Sequence, residues 1–136
     1  MNITRMYYDA QDLPKTRALF SLVGAFCVDP AVRADLGAPI SSEPGDTWIL
    51  AQEKDKVEGF CIVSNQKNGR ARLHALYAPM ARVQKALRDE AVLVAAGLGA
   101  GAIAYVAPAI RGKALGKEGW KAGTARGQYR TFEREV

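Results

Sequence analysis

Leu73-His74-Ala75-Leu76-Tyr77-Ala78-Pro79, running on into Met80-Ala81-Arg82-Val83-Gln84-Lys85-Ala86-Leu87, is the stretch on which the fold turns. Residues 70–77 read as a strand. Pro79 then opens a helix in which Met80, Val83, Leu87, Ala91 and Val94 fall on one face, and Gly97 to Gly101 closes it before another strand from Ala102 to Val106. A strand, a helix and a strand therefore form a crossover.

Upstream, Thr47 to Gln52, a charged turn at Glu53-Lys54-Asp55-Lys56, Val57 to Ser64, and a turn from Asn65 to Gly69 precede that strand as an antiparallel meander. Ile3 to Tyr8 has strand composition. Asp12 caps a helix with Leu19, Leu22, Val23 and Phe26 at helical spacing, and Pro30 to Leu36 forms a short second helix capped by Asp29. Residues 37–46 are loop by composition. Downstream lie a short helix or turn at Lys113 to Lys117, a break at Gly119-Trp120, and a last strand from Gln128 to Glu135. The order is β-α-(α)-β-β-β-α-β-α-β, an α/β (α+β) class.

The 136 residues are 49% hydrophobic, enough for one core of ordinary size, and no linker interrupts them, so one domain over 1–136 is expected. The most apolar stretch, Ala91 to Ala107, is broken by Gly97, Gly99 and Gly101, which excludes a membrane helix. No signal-peptide pattern opens the chain, and a soluble, intracellular, cytoplasmic protein is expected. Cys27 and Cys61 have no Cys or His at metal-ligand spacing and read as buried free thiols; no metal site is expected. The formal charge is +5, and Lys67, Arg70, Arg72, Arg82, Lys85 and Arg88 stand within residues 66–88 without an acid. Such a stretch suits an anionic partner or nucleic acid if its charges converge, and is otherwise a solvated face. Sequence-specific DNA reading has little support, because Tyr77 is the only aromatic among these residues.

The element order resembles the GNAT N-acyltransferase fold, a mixed, mostly antiparallel, twisted sheet of six to seven strands flanked by helices. Trp48-Ile49-Leu50-Ala51 with Val57-Glu58-Gly59-Phe60 is similar to that family's second and third strands. Leu73 to Pro79 followed by Arg82 is similar to its fourth strand and to the Pro-x-x-Arg leading into its pyrophosphate loop. Leu115-Gly116-Lys117-Glu118-Gly119-Trp120, followed by Tyr129 to Glu135, is similar to its closing helix, Gly-Phe break and last strand. The resemblance covers about residues 1–135 and is weakest between 27 and 46.

It implies acetyl-CoA or a related acyl-CoA as co-substrate, bound by Leu76, Tyr77 and Ala78 at the strand's end and by Arg82, Val83, Gln84, Lys85, Ala86 and Leu87. In the family this last segment reads Arg/Gln-x-x-Gly-x-Gly/Ala, since pyrophosphate lies on backbone N–H groups at a helix N-terminus where Cβ atoms obstruct it. Here Lys85 and Leu87 replace the small residues. Lys85 is either a point charge on phosphate or a solvated lysine. The family's acidic tyrosine and its asparagine are also gone: Leu115 and Pro108-Ala109 occupy those positions.

Acyl transfer needs a base, a polarised carbonyl and an acid for the leaving thiolate. His74, the only histidine, is a candidate base by its ordinary pKa near 6.5, and alternatively a strand histidine facing solvent or filling the sheet surface. Tyr77 is a candidate acid or a packing residue. It is three residues from His74 and shares a face with it only if a bulge intervenes. Glu58 is a candidate carboxylate for steering or deprotonating an amine, or an exposed hairpin glutamate, and Tyr129 is a candidate for the cleft.

Two functions follow from the resemblance. One is an acyl-CoA-dependent N-acyltransferase acting on an amine of a small molecule, a protein or a modified nucleobase. The other is a catalytically inactive, phage-type GNAT-like protein serving as a structural, assembly or binding module, with a homodimer compatible with either.

Overall fold

The computed structural model describes all residues 1–136. The strands are β1 (Asn2–Tyr7), β2 (Thr47–Glu53), β3 (Lys56–Asn65), β4 (Arg70–Tyr77), β5 (Ala102–Pro108), β6 (Lys121–Arg126) and β7 (Tyr129–Glu135). The helices are α1 (Leu13–Cys27), α2 (Pro30–Leu36), α3 (Ala81–Gly97) and α4 (Gly112–Lys117), the last preceded by a 3₁₀ turn at Ala109–Arg111. One seven-stranded sheet in the order β1-β2-β3-β4-β5-β7-β6 gathers them, antiparallel throughout except at the β4–β5 pair. Strand β6 is the element that the sequence reading lacks. All six of its residues are exposed, so it carries no apolar alternation to betray it.

Each sheet face has its own core. Alternation along β4 sends Ala71 and Leu73 to the face covered by α3, whose Val83, Leu87, Ala91 and Val94 pack there with Ile103 of β5 and Phe132 of β7. The other face holds Trp48 and Leu50 of β2 with Phe60 and Ile62 of β3, under Leu19 and Val23 of α1 and Val32 of α2. Both short-range caps form as the sequence implies: Asp12 accepts from the N–H of Lys15, and Asp29 from that of Ala31. The bidentate Arg88–Glu118 pair, at 2.8 and 2.6 Å and almost fully buried, ties α3 to the end of α4.

The basic residues of 66–88 do not converge. Arg70 and Arg72 stand on the β4 face away from α3, whereas Arg82, Lys85 and Arg88 belong to α3 on the opposite side. Three of them are matched within the fold: Arg70 to Glu133, Lys85 to Asp89 and Arg88 to Glu118. No helix is long and apolar enough to cross a membrane. Both cysteines are free. Cys27 is half-buried, and burial pushes the thiol of the fully buried Cys61 far up, so it is a packing residue.

Candidate functional site

Two irregularities in the strands shape the site. Between β3 and β4 the register passes from Ile62↔His74 to Phe60↔Tyr77, so β4 carries one extra residue, and Ala75 takes φ 52° to accommodate it. A non-glycine residue in this region costs about 1–2 kcal/mol, which the surrounding sheet must supply. The bulge resets the alternation: Leu73 and Leu76, three apart, both enter the α3-side core, and His74 and Tyr77 both face the α1–α2 side. That is the condition under which the sequence allows these two residues to share a face.

The second irregularity is a splay. The parallel pairing of β4 with β5 ends at Leu73↔Tyr105, while the strands run on to Tyr77 and Pro108. The gap between them holds a cavity of only about 40 Å³, lined by Ala75 and Leu76 on one side, Val106 and Pro108 on the other, and closed by Leu36 and Tyr129. It has room for little more than one water. Tyr129 reaches from β7 to the end of α2, where Gly37 at φ 74° caps the helix; a Cβ there would collide with the tyrosine hydroxyl. Leu36, Ala75, Val106 and Tyr129 also border a larger cavity of about 690 Å³, so the two are neighbours separated by these side chains.

His74 lines that larger cavity, and behind it lies a chain of hydrogen bonds. The Ser64 hydroxyl stands 2.7 Å from His74 Nε2 and 2.7 Å from Asp46 Oδ1. Asp46, buried at the end of the loop before β2, also accepts from Ser42 Oγ at 2.9 Å and from the Glu43 N–H at 2.8 Å, both on Oδ2. Trp48 Nε1 donates in turn to Ser42 Oγ at 2.9 Å. A carboxylate only accepts, and a hydroxyl has one proton, so Ser64 donates to Asp46 and accepts from His74 Nε2–H. The neutral imidazole then presents the Nδ1 lone pair. Burial is the main cause holding the His74 pKa below its ordinary value, with the Arg72 guanidinium adding to it and Asp46 opposing it. At neutral pH His74 is therefore an uncharged ring whose tautomer is set by a buried carboxylate through one serine, the arrangement that orients a general base.

The other residues singled out in the sequence lie apart. Tyr77 packs against Phe26 and Phe60 with ring centroids 5.9 and 6.1 Å away and does not line either cavity. Glu58 is the extra residue of a bulge between β2 and β3, four residues along β3 from Ile62, the partner of His74, or about 13 Å. Its Oε2 is buried without a hydrogen-bond partner. Of the four residues considered for chemistry, the fold brings together His74 and Tyr129.

The segment corresponding to the phosphate loop is helical. α3 starts at Ala81, so Arg82 to Leu87 form its first two turns, and N–H groups from Val83 onward donate within the turn, beginning with Val83 and Gln84 to Met80 O at 3.0 Å each. Leu87 and Val83 are buried against the sheet, which is why a leucine stands where a small residue is expected. Lys85 is exposed and pairs with Asp89 at 2.7 Å; Gln84 Nε2 donates to Ala78 O at 2.7 Å. What remains for an anion is the first turn: Met80 gives no side-chain cap, the N–H groups of Ala81 and Arg82 have no backbone partner, and the Arg82 guanidinium is exposed beside them.

Asp46 and Ser64 are the members of the His74 hydrogen-bond chain that the sequence reading missed. Ser64 follows Ile62 by two, which puts it on the His74 face, and the hairpin register places it across from Arg72. Asp46 sits in a stretch whose composition says only loop.

No family model matches the chain, and no curated protein matches it. Solved structures do. The chain is similar to an acyl-CoA N-acyltransferase from Pseudomonas aeruginosa (TM-score 0.67, 14% identity, 98% of this chain and 99% of that one). It is also similar to ElaA from Escherichia coli (TM-score 0.67, 12% identity, 98% and 99%). A third is the PaiA N-acetyltransferase from Thermoplasma acidophilum in complex with coenzyme A (TM-score 0.64, 16% identity, all of both chains). With its splayed fourth and fifth strands, bulged fourth strand and seven-stranded order, the chain has the fold of the GNAT acyl-CoA N-acyltransferases.

Proposed function

We propose that the protein is an acyl-CoA-dependent N-acyltransferase in which His74 is the general base. The observation that carries this reading is the Asp46–Ser64–His74 chain, which fixes the tautomer of a neutral imidazole and leaves Nδ1 without a protein partner, on a residue that lines a cavity of about 690 Å³ beside the β4–β5 splay. A buried polar network of this kind costs desolvation that a purely structural strand position would avoid, and its one unsatisfied atom is the one a base uses.

In the step itself the amine nitrogen of the acceptor forms a bond to the thioester carbonyl carbon, the carbon–sulfur bond breaks, and the thiolate leaves. The amine proton passes to His74 Nδ1, directly or through a water. Acyl-CoA supplies the activated carbonyl. Its phosphates fit the uncapped first turn of α3 beside Arg82, and do not fit along Val83 to Leu87, whose amides are spent within the helix. Its thioester arm fits between β4 and β5 once Tyr129 or Leu36 gives way, since the gap there is about 40 Å³.

The helical Arg82–Leu87 segment and this narrow gap favour a second reading, a GNAT-shaped binding or assembly module without catalysis. Calorimetric titration of acetyl-CoA separates the two. Micromolar binding that falls in Arg82→Ala supports the transferase, and absence of heat at millimolar ligand leaves the binding module.

A further inference from the structure

Arg72 is an exposed cation at the large cavity that no group of the protein pairs. Arg70 and Arg72 stand two residues apart on the same face of β4. Arg70 Nη1 lies 3.3 Å from Glu133 Oε2, whereas Arg72 lines the cavity and makes neither ion pair nor hydrogen bond. Its cross-strand neighbours, Ser64 on β3 and Ala104 on β5, are too short to cover the guanidinium. Of the two carboxylates bordering the cavity, Asp46 is occupied by three donors, and Glu43 stays exposed on the rim without an ion pair. Tyr7 and Tyr129 are the remaining titratable neighbours. His74 is two residues further along β4, about 7 Å away on the same face, and Asn65 and Gln66 also line the cavity.

We propose that Arg72 anchors an oxyanion, so that the acceptors of this protein are small amines that also carry a carboxylate or a phosphate, the oxyanion on Arg72 and the amine at His74. A planar guanidinium with all its donors free matches either oxyanion with two parallel hydrogen bonds, and the spacing of about 7 Å along the strand is spanned by an acceptor with a few bonds between its two ends. The amine half of this statement rests on the acyl-transfer reading; the oxyanion half does not.

The test uses the fact that His74 is the only histidine, so its ring resonances in the NMR spectrum are its own. β-Alanine, O-phosphoethanolamine and, as a control with no oxyanion, ethanolamine are titrated into the whole protein and into Arg72→Gln, with melting curves confirming that both are folded. An oxyanion paired with Arg72 removes a positive charge beside the imidazole. β-Alanine or phosphoethanolamine therefore shifts the ring signals saturably at fixed pH, and ethanolamine at the same concentrations does not. In Arg72→Gln the midpoint of the free protein is already higher, and the apparent Kd of the oxyanion ligand weakens about tenfold or more, the worth of one charge-assisted hydrogen bond. Response to β-alanine alone identifies a carboxylate, response to phosphoethanolamine alone a phosphate. Ring signals that ignore both ligands, or that respond equally in Arg72→Gln, overturn the proposal. The readout needs no turnover, so an oxyanion response in a protein that transfers no acyl group sinks only the transferase reading, and transfer without that response sinks only this one.

Discussion

Replacing Asp46 with asparagine should invert the tautomer of a residue two hydrogen bonds away. Glu43 N–H and Ser42 Oγ both point at Oδ2, and a backbone N–H cannot turn acceptor, so the amide oxygen of the variant must take the Oδ2 position. The amide NH₂ then faces Ser64, which has been donating to Oδ1 at 2.7 Å. Ser64 becomes the acceptor there, and its proton finds its only partner in His74 Nε2; left unpaired it would cost about 1–3 kcal/mol. His74 consequently carries its proton on Nδ1, the nitrogen that the wild type offers as a lone pair. Three hydrogen bonds also change from charge-assisted to neutral, each losing about 1 kcal/mol, so the variant should be about 3 kcal/mol less stable and melt about 8–12 °C lower. If His74 is the base, transfer falls by about 10²–10⁴-fold, the usual worth of a correctly protonated catalyst. The assay is ¹⁵N NMR of the single histidine ring at neutral pH, beside thermal melts of both proteins. A variant that keeps its proton on Nε2 refutes the relay, whatever happens to activity.

Other outcomes follow from the same geometry. Because His74 has a folded pKa below its unfolded value of about 6.5, the unfolded chain binds the extra proton first. Wild-type stability is therefore full above about pH 6.5 and declines as pH falls toward the folded value, and His74→Gln should flatten that part of the Tm–pH curve; an unchanged slope would mean that His74 is not desolvated. At Ala75, with φ 52°, Ala75→Gly should leave stability unchanged or raise it by up to about 1 kcal/mol in denaturant melts, opposite in sign to the usual alanine-to-glycine change in a strand, and a clear loss would argue against the bulge. Arg88→Met leaves Glu118 buried and alone, and should cost about 3–5 kcal/mol, much of it regained in the Arg88→Met, Glu118→Leu double variant. Tyr129→Ala opens the gap between β4 and β5 and should tighten acetyl-CoA binding in calorimetry; weaker binding would show that the tyrosine holds the ligand rather than blocking it.

The order of the elements along the chain was legible because its determinants are local. The Asn65 to Gly69 turn, the strand-to-helix junction at Pro79 and the glycines from 97 to 101 each set one connection. Strand β6 was not, because an edge strand with both faces exposed has no burial pattern to read. Within the site, the uses weighed for His74 depend on what stands behind it, and that is Ser64, readable from strand parity, and Asp46, not readable at all from a loop whose path depends on Trp48, Ser42 and the start of β2. The α3 start is the other lesson. A leucine and a lysine in place of small residues show that the phosphate loop is altered, and only the packing of Leu87 shows how: the helix has absorbed it.

Acyl transfer through His74 is tested most directly by following thiol release from acetyl-CoA in the presence of amine acceptors, with wild type and His74→Gln compared at matched ligand occupancy. Amine-dependent thiol release by the wild type, reduced about 10²–10⁴-fold in His74→Gln with acetyl-CoA affinity unchanged, is the expected result. Equal rates in the two proteins, or no amine-dependent release by the wild type, would contradict it.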